Sequence, residues 1–504
     1  MVDRPVEYDN KRPNSLRTTD YALTEEEAEA LRSDPRVVAV EIPLPDDAMA
    51  VDAIQTGDFT RGVDDSEIRA ELLDWAKRRC SAAGVADDIV TSGARFGTAS
   101  SSFITDHAYN IDGTGVDVVI QDDGVMTNHP EWLDENGVSR FQQINWYNAA
   151  GVSGSQSSSH YTSGSHGTHV AGTVAGRLYG WAKNAHIYSL KALGTGAISD
   201  ETDRFDLIRL WHNRKPIDPR TGYRRPTIVN ASWGYRWFFP GTTSEASSTF
   251  AELNYRGNDD IRFRGQKYSD MVLADRQSVG MMSSAYQRRV AAVDAAVEDL
   301  TDDGIIFVTA AGNYFGTIFR PGDIEYNNFF RYDPRSRLGD SINTPQYYNR
   351  GSSPVSDDAI VVANVNNEVL GYSGNPERLN FSSERGPRVD ICAPGTAIQS
   401  STNETGYSNR TLPYPLNSNF NTARITGTSM ASPQVAGVLA LYLQLNPQAT
   451  PQDCKNWLAQ NAQTNVMEVT AFDRYDNYTG TRGAPDRLLV NPYSSNTRTV
   501  IKQK

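Results

Sequence analysis

Short apolar runs alternating with helical stretches predict an α/β fold. The expected architecture is a doubly wound, mostly parallel sheet flanked by helices, preceded by a small α+β segment. Three observations carry this expectation. The runs at 116–121, 186–193, 227–232, 304–311 and 359–365 are short, rich in Val, Ile and Ala, and bounded by polar residues or glycine. The stretches between them have helical periodicity, clearest where Tyr286, Val290, Val293, Val297 and Leu300 recur at steps of four and three. Finally, the residues with chemistry to offer follow strands, where open α/β sheets build their sites.

Taken in order, the chain opens on LTEEEAEALRSDPRVVAVEIP, which predicts one helix and one strand. Thr24 can cap a helix over Glu25, Glu26 and Glu27, whose charges suit its N-terminus. Pro35 ends that helix, and Val37, Val38 and Val40 supply strand propensity. Pro43, Pro45 and two aspartates mark a boundary, giving a first region of 1–45. Residues 46–110 read as a linker and extension, with a helix over DDSEIRAELLDWAKRRC and a Gly/Ser/Thr-rich loop at 91–102. The alternating pattern then defines a domain over 111–465, and 466–504 is a C-terminal extension.

Composition bounds the function. A hydrophobic fraction of 38% and a charged fraction of 22% describe an ordinary soluble globular protein. A formal net charge of -13 argues against nucleic acid as a partner, since such binders carry a basic face. No run approaches the roughly 18 apolar residues that span a bilayer, so no membrane partner is expected. The charged opening MVDRPVEYDNKRPNS is not a secretory signal. The expected location is therefore cytoplasmic or virion-associated, with non-classical export as the alternative. Cys80, Cys392 and Cys454 are odd in number and lack metal-ligand spacing, which predicts free thiols, two of them packed inside.

Four residues stand out, each ambiguous alone. Asp122 follows the 116–121 run in QDDGV, at the end of a buried strand; by itself Asp-Asp-Gly there is a turn. His166 lies in SHGTHVAGTVAG, whose small residues let a helix approach the sheet closely. His107, His129, His160, His186 and His212 have no such context, and His169 reads as a core residue. Ser429 lies in TGTSMASPQVAG at a loop-to-helix junction, where the helix dipole favours an oxyanion. Pro433 fits the first turn of that helix. Gly-x-Ser-x-Ala after no strand is not the nucleophile elbow of other hydrolases. Asn313, in AAGNYFG, carries an amide able to donate to an oxyanion, or merely occupies a glycine turn. The joint pattern decides: Asp, His, Asn and Ser in that order on an α/β frame.

On these motifs the sequence resembles the subtilase family over about residues 111–465. HGTHVAGT, GTSMASPQVAG, VTAAGN and NFSSERGPRVDICAPG are similar to family segments, and AGTVAGRLYGWAKNAHIYSLKALG is similar to proteinase K, without the extra loop with which some subtilisins bind calcium. The resemblance implies a serine endopeptidase. Asp122 would orient His166, His166 would act as general base to Ser429, and Asn313 would complete the oxyanion hole. Ser232, Trp233 and Gly234 match the strand that pairs with substrate backbone; with Ala310, Ala311 and Gly312 they would wall the first specificity pocket. The chemistry requires no cofactor; structural calcium follows family habit, with no ligand set assigned. Substrates would be proteins or peptides.

Departures qualify the match. Asp123, in DDG, and Ser-Trp-Gly look like the kexin and furin branch, yet YRWFFPG after them has no acidic run for basic side chains. Insertions near 236–285 and 314–355 leave strand ends beside the cleft, and their aromatics (Trp237, Phe238, Phe239, Tyr314, Phe315) either contact a substrate or larger assembly or pack a core of their own. The N-terminal LTEEEAEALRSDPRVVAVEIP resembles the second half of the family's inhibitory prosegment, truncated. A rival reading is a subtilase-like structural or interaction module in a viral particle or intracellular assembly.

Overall fold

The structure is a computed structural model, and it describes residues 8–9, 15–41, 49–51, 75–80, 111–198, 200–238, 260–268, 285–331, 345–366, 377–403, 411–469 and 480–493. Phe239, His107 and the loop at 91–102 lie outside these residues, as does the 46–110 region apart from Met49–Val51 and Trp75–Cys80.

The main sheet is parallel throughout. Its order is Ile391–Pro394, Ile360–Val365, Ile306–Ala310, Thr227–Ala231, Asp117–Asp122, His186–Lys191 and Phe141–Gln142. Because strand side chains alternate faces, each run feeds two cores. Val118, Ile120, Ile306 and Val308 face one core, which the helices Ser165–Ala175 and Thr428–Leu445 close with Val170, Val174, Val435 and Leu439. Val119, Val229 and Phe307 face the other, closed by Leu207 and Ile208 of Asp203–Arg214 and by Val293, Val297 and Leu300 of Ala291–Asp302. Helices on both faces explain why the strands read as continuous apolar runs. The chain builds outward on one side of Asp117–Asp122, then crosses to Thr227–Ala231 on its other side. The reversal opens a crevice between the carboxyl ends of these two strands, at Asp122 and Ser232.

Beyond residue 465 the chain still contributes to the core. Cys392 donates its N–H to the Arg487 carbonyl at 2.8 Å, and Leu489 donates to the Cys392 carbonyl at 2.9 Å, so the backbone near Leu488 covers the outer edge strand. All three thiols are free and buried, one more than expected. Burial raises them well above their ordinary range, Cys80 and Cys392 to about 12. Among the described residues no helix is long and apolar enough to cross a membrane.

Two elements differ from expectation. The helix predicted from Tyr286 begins only at Ala291. Tyr286 belongs to the strand Ala285–Gln287, paired with Trp237, and its ring packs edge-on against Phe330 at 5.0 Å. Residues 34–41 form no strand, and Val38 is 99% exposed. Strand propensity expresses itself through partners across a sheet, and these valines have none among the described residues.

The two insertions meet. Asp260–Phe263, paired with Gln266–Tyr268 in the first, pairs antiparallel with Phe329–Arg331 of the second, which in turn pairs with Gln346–Tyr347. Ile261, Phe263, Phe330 and Tyr348 are buried, so the insertions pack a core of their own.

The N-terminal helix Glu25–Arg32 carries the expected Thr24 cap, completed by Glu27 in a capping box. The segment around it clamps the helix Ala291–Asp302 at both ends. Val290, the N-cap there, makes no side-chain cap bond. The Glu41 carboxylate instead accepts from the N–H groups of Ala291 (2.9 Å) and Ala292 (3.2 Å). Arg17 pairs with Asp299 and, at 2.6 Å, with Asp302 at the far end. An anion at the start and a cation near the end both complement the helix dipole.

Candidate active site

Asp122 is the last residue of its strand and is fully buried. Its carboxylate receives the His166 Nδ1–H, with Oδ1 at 2.8 Å and Oδ2 at 3.0 Å. Oδ1 also accepts the Asp123 N–H at 2.7 Å, which fixes the carboxylate plane. With Nδ1 as donor, Nε2 is the basic nitrogen of the neutral ring.

His166 is the second residue of the helix Ser165–Ala175. Small residues seat this helix. A Cβ on Gly167 would lie 3.0 Å from the Asp122 Cβ and closer still to the Gly124 carbonyl. His169 donates from Nε2 to the Ile398 and Ala423 carbonyls at 3.0 and 3.1 Å, tying the helix to the antiparallel strands Ile398–Thr402 and Asn417–Ile425. Burial first, then the nearby His166, pushes His169 down to about 3, so it is a neutral anchor.

Ser429 is the second residue of the helix Thr428–Leu445, whose buried course runs through the middle of the molecule. Pro433 is the sixth residue of that helix, not in its first turn. Proline has no N–H to bond the carbonyl four residues back, which is that of Ser429. The Ser232 hydroxyl fills the vacancy, donating to the Ser429 carbonyl at 3.1 Å. Ser232 Oγ in turn accepts from Asn230 Nδ2 at 2.9 Å. The Ser429 hydroxyl donates to the Ser232 carbonyl at 3.2 Å.

Asn313 lies just past the strand Ile306–Ala310 and is buried. Its Oδ1 accepts from Thr428 N (2.9 Å) and Thr428 Oγ1 (3.1 Å), which turns Nδ2 toward Gly427 and the Ser429 helix N-terminus. The arrangement combines a carboxylate-oriented imidazole, a hydroxyl at a helix start and an amide donor beside it. Such a set suits acyl transfer through a covalent intermediate.

The model of the subtilase family matches residues 113–481. The chain belongs to the subtilase family. It is 26% identical to Alkaline serine exoprotease A of Vibrio alginolyticus over 93% of this chain and 57% of that protein. It is also 26% identical to Proteinase R of Parengyodontium album over 73% of this chain and 65% of that one. The chain thus spans less than two thirds of either relative. Against the Extracellular serine proteinase of Thermus sp. (strain Rt41A) the identity is 24% over 95% of this chain and 76% of the relative.

In this subtilase the strand Trp233–Phe238 continues from Ser232, but its free edge is taken. Met49–Val51 pairs with it antiparallel, setting Val51 opposite Trp233, Ala50 opposite Gly234 and Met49 opposite Tyr235. The Trp233 side chain is 1% exposed and packs among Phe205 and Tyr235 in the core. Ala310, Ala311 and Gly312 are brought beside the Asn313 turn.

Several residues at this site carry no signal in the sequence. Thr428 Oγ1 accepts the Gly312 N–H at 3.1 Å while Thr428 orients Asn313. Ser352, Gln287 and Glu384 stand against Gly234 and Gly312, where any Cβ would strike them. Gln287 and Ser352 come from the insertion borders, so only folding reveals them. Among the described residues no group of three or more His, Cys, Asp or Glu is placed to hold a metal ion.

Proposed function

We propose that this subtilase is a serine endopeptidase that hydrolyses peptide bonds of protein or peptide substrates through an acyl-enzyme on Ser429. The observation that carries the reading is the Asp122–His166 pair, closed through both carboxylate oxygens, on a helix packed against the one that begins with Thr428 and Ser429, with Asn313 bound to that beginning through Thr428. In this mechanism His166 Nε2 takes the Ser429 proton and later returns it to the leaving amine, while Asp122 holds the tautomer and stabilises the imidazolium. Asn313 Nδ2 and the Ser429 N–H would hold the oxyanion. YRWFFPG carries no acidic run, so cleavage after paired basic residues is not part of the proposal. The test is a fluorophosphonate probe. Wild type is labelled and Ser429→Ala is not; a folded wild type that takes no label sinks the reading and favours the structural module.

Asn313→Ala is expected to lower kcat by about 10²–10³-fold at nearly constant KM, a range established on a subtilisin and carried over to this chain. Steady-state kinetics on one peptide separates the two parameters.

The N-terminal region acts, in this proposal, as an inhibitory prosegment. Support comes from Met49–Val51 on the strand that substrate would use and from the clamp by Arg17 and Glu41 on Ala291–Asp302. Mass spectrometry of the expressed chain should find residues 1 to somewhere between 40 and 110 removed from wild type but retained in Ser429→Ala. Removal from both would assign the cut to another protease.

A further inference from the structure

Asp123 stands next to Asp122, yet its carboxylate serves a different element. Oδ1 accepts the Gly167 N–H at 2.7 Å, and Oδ2 accepts the His166 N–H at 3.4 Å. Both donors belong to the first turn of the helix Ser165–Ala175, whose N-cap, Gly164, makes no side-chain cap bond. Helix starts leave such N–H groups unsatisfied, and an acidic acceptor there also complements the dipole. A Cβ on Gly164 would collide with the Asp123 carboxylate. The glycine thus clears the cap position for a carboxylate delivered from the end of the neighbouring strand.

We propose that Asp123 is a positioning residue for the Asp122–His166–Ser429 apparatus: it pins the helical turn that carries His166 and places a second negative charge beside the imidazole. The inference rests on the protease reading above. It adds a part to it, because Asp122 holds the ring whereas Asp123 holds the backbone from which the ring projects.

The charges around Asp123 come from four elements. Asp122 lies on the same strand end and His166 on the helix. Lys191 lies at the end of His186–Lys191, where its Nζ donates to Thr162 Oγ1 (2.5 Å) and to the Thr162 carbonyl (3.2 Å). His160 accepts the Lys191 N–H at 3.3 Å and is pushed down by burial, while His169 behind His166 is neutral. Burial, and next the Asp122 charge, raise the Asp123 carboxyl to about 6, against the pull of His166 and the two N–H groups. Asp123 is therefore charged at neutral and alkaline pH. As a carboxylate it favours the imidazolium. Removing its charge makes His166 easier to deprotonate, so the acid limb of activity moves to lower pH.

The experiment measures fluorophosphonate inactivation against pH, resolved into kinact and KI, on chain taken to constant mass. Asp123→Asn keeps an oxygen for the Gly167 N–H and loses the charge; its acid limb should move down by roughly one pH unit. Asp123→Ala loses the cap as well, and kinact should fall about tenfold or more at unchanged KI, because the ring is no longer held in register. An Asn variant whose limb superimposes on wild type overturns the proposal, as does an Ala variant affected in KI alone. If Asp123→Ala does not fold, the Asn variant decides. A folded wild type that never reacts overturns the protease reading itself, whereas a reactive wild type with indifferent Asp123 variants overturns only this one.

Discussion

Replacing His166 by alanine is expected to lower kcat by about 10⁶-fold, Ser429→Ala by about as much, and the double variant no further. The size is established on a subtilisin; the reason it applies here is geometric. A serine hydroxyl is a poor nucleophile until a base removes its proton, so either loss disables the same step. His166 Nε2 is the basic nitrogen because Nδ1–H is committed to Asp122 at 2.8 and 3.0 Å. Neither His169 nor His160 can substitute. His169, one helical turn away, donates to two backbone carbonyls and stays neutral, and His160 is tied to Lys191 and Gly196. Single-turnover kinetics on the two single variants and the double variant would check this. Additive losses in the double variant would mean that the two residues do not act on one step.

Asp122→Asn should cost about 10⁴-fold in kcat while leaving the fold and KM close to wild type. The carboxylate accepts from His166 through both oxygens and from the Asp123 N–H through Oδ1. An asparagine can preserve the backbone bond with its carbonyl oxygen, but its NH₂ then faces His166 Nδ1. An NH₂ donates, so the ring must carry its proton on Nε2, and the basic nitrogen is turned away from Ser429. The loss should therefore shrink at high pH far less than a simple pKa shift would allow. A variant within about tenfold of wild type would show that Asp122 does not set the tautomer.

The candidate site was legible where chemistry coincides with a local pattern. HGTHVAGT and GTSMASPQVAG place His166 and Ser429 at helix starts because small residues and a following apolar run are local signals. Asp122 and Asn313 were legible as strand-end residues. Tyr286 and Val290 fit the helical step that continues to Leu300, yet the partner strand at Arg236–Phe238 has the stronger claim on Tyr286. Strand pairing across such sequence distance leaves no periodic trace. Pro433 reads as a first-turn residue because a proline inside a helix ordinarily breaks a bond; the Ser232 hydroxyl that replaces that bond comes from the junction between Thr227–Ala231 and Trp233–Phe238, far away in the chain.

By itself the sequence determined the α/β class, named the four candidate-site residues in their order, and predicted the capped N-terminal helix. Each rests on short-range pattern: apolar runs, glycine-rich helix starts, a capping threonine. Only the tertiary structure decided who touches whom. It gave Asp123 to the His166 helix rather than to a turn, Thr428 to Asn313, and the edge of the Trp233–Phe238 strand to Met49–Val51. It also buried the Trp233 side chain in the core and joined the two insertions into one sheet. These outcomes depend on packing and hydrogen bonding between segments far apart in the chain, where burial obliges polar groups to find partners within the fold.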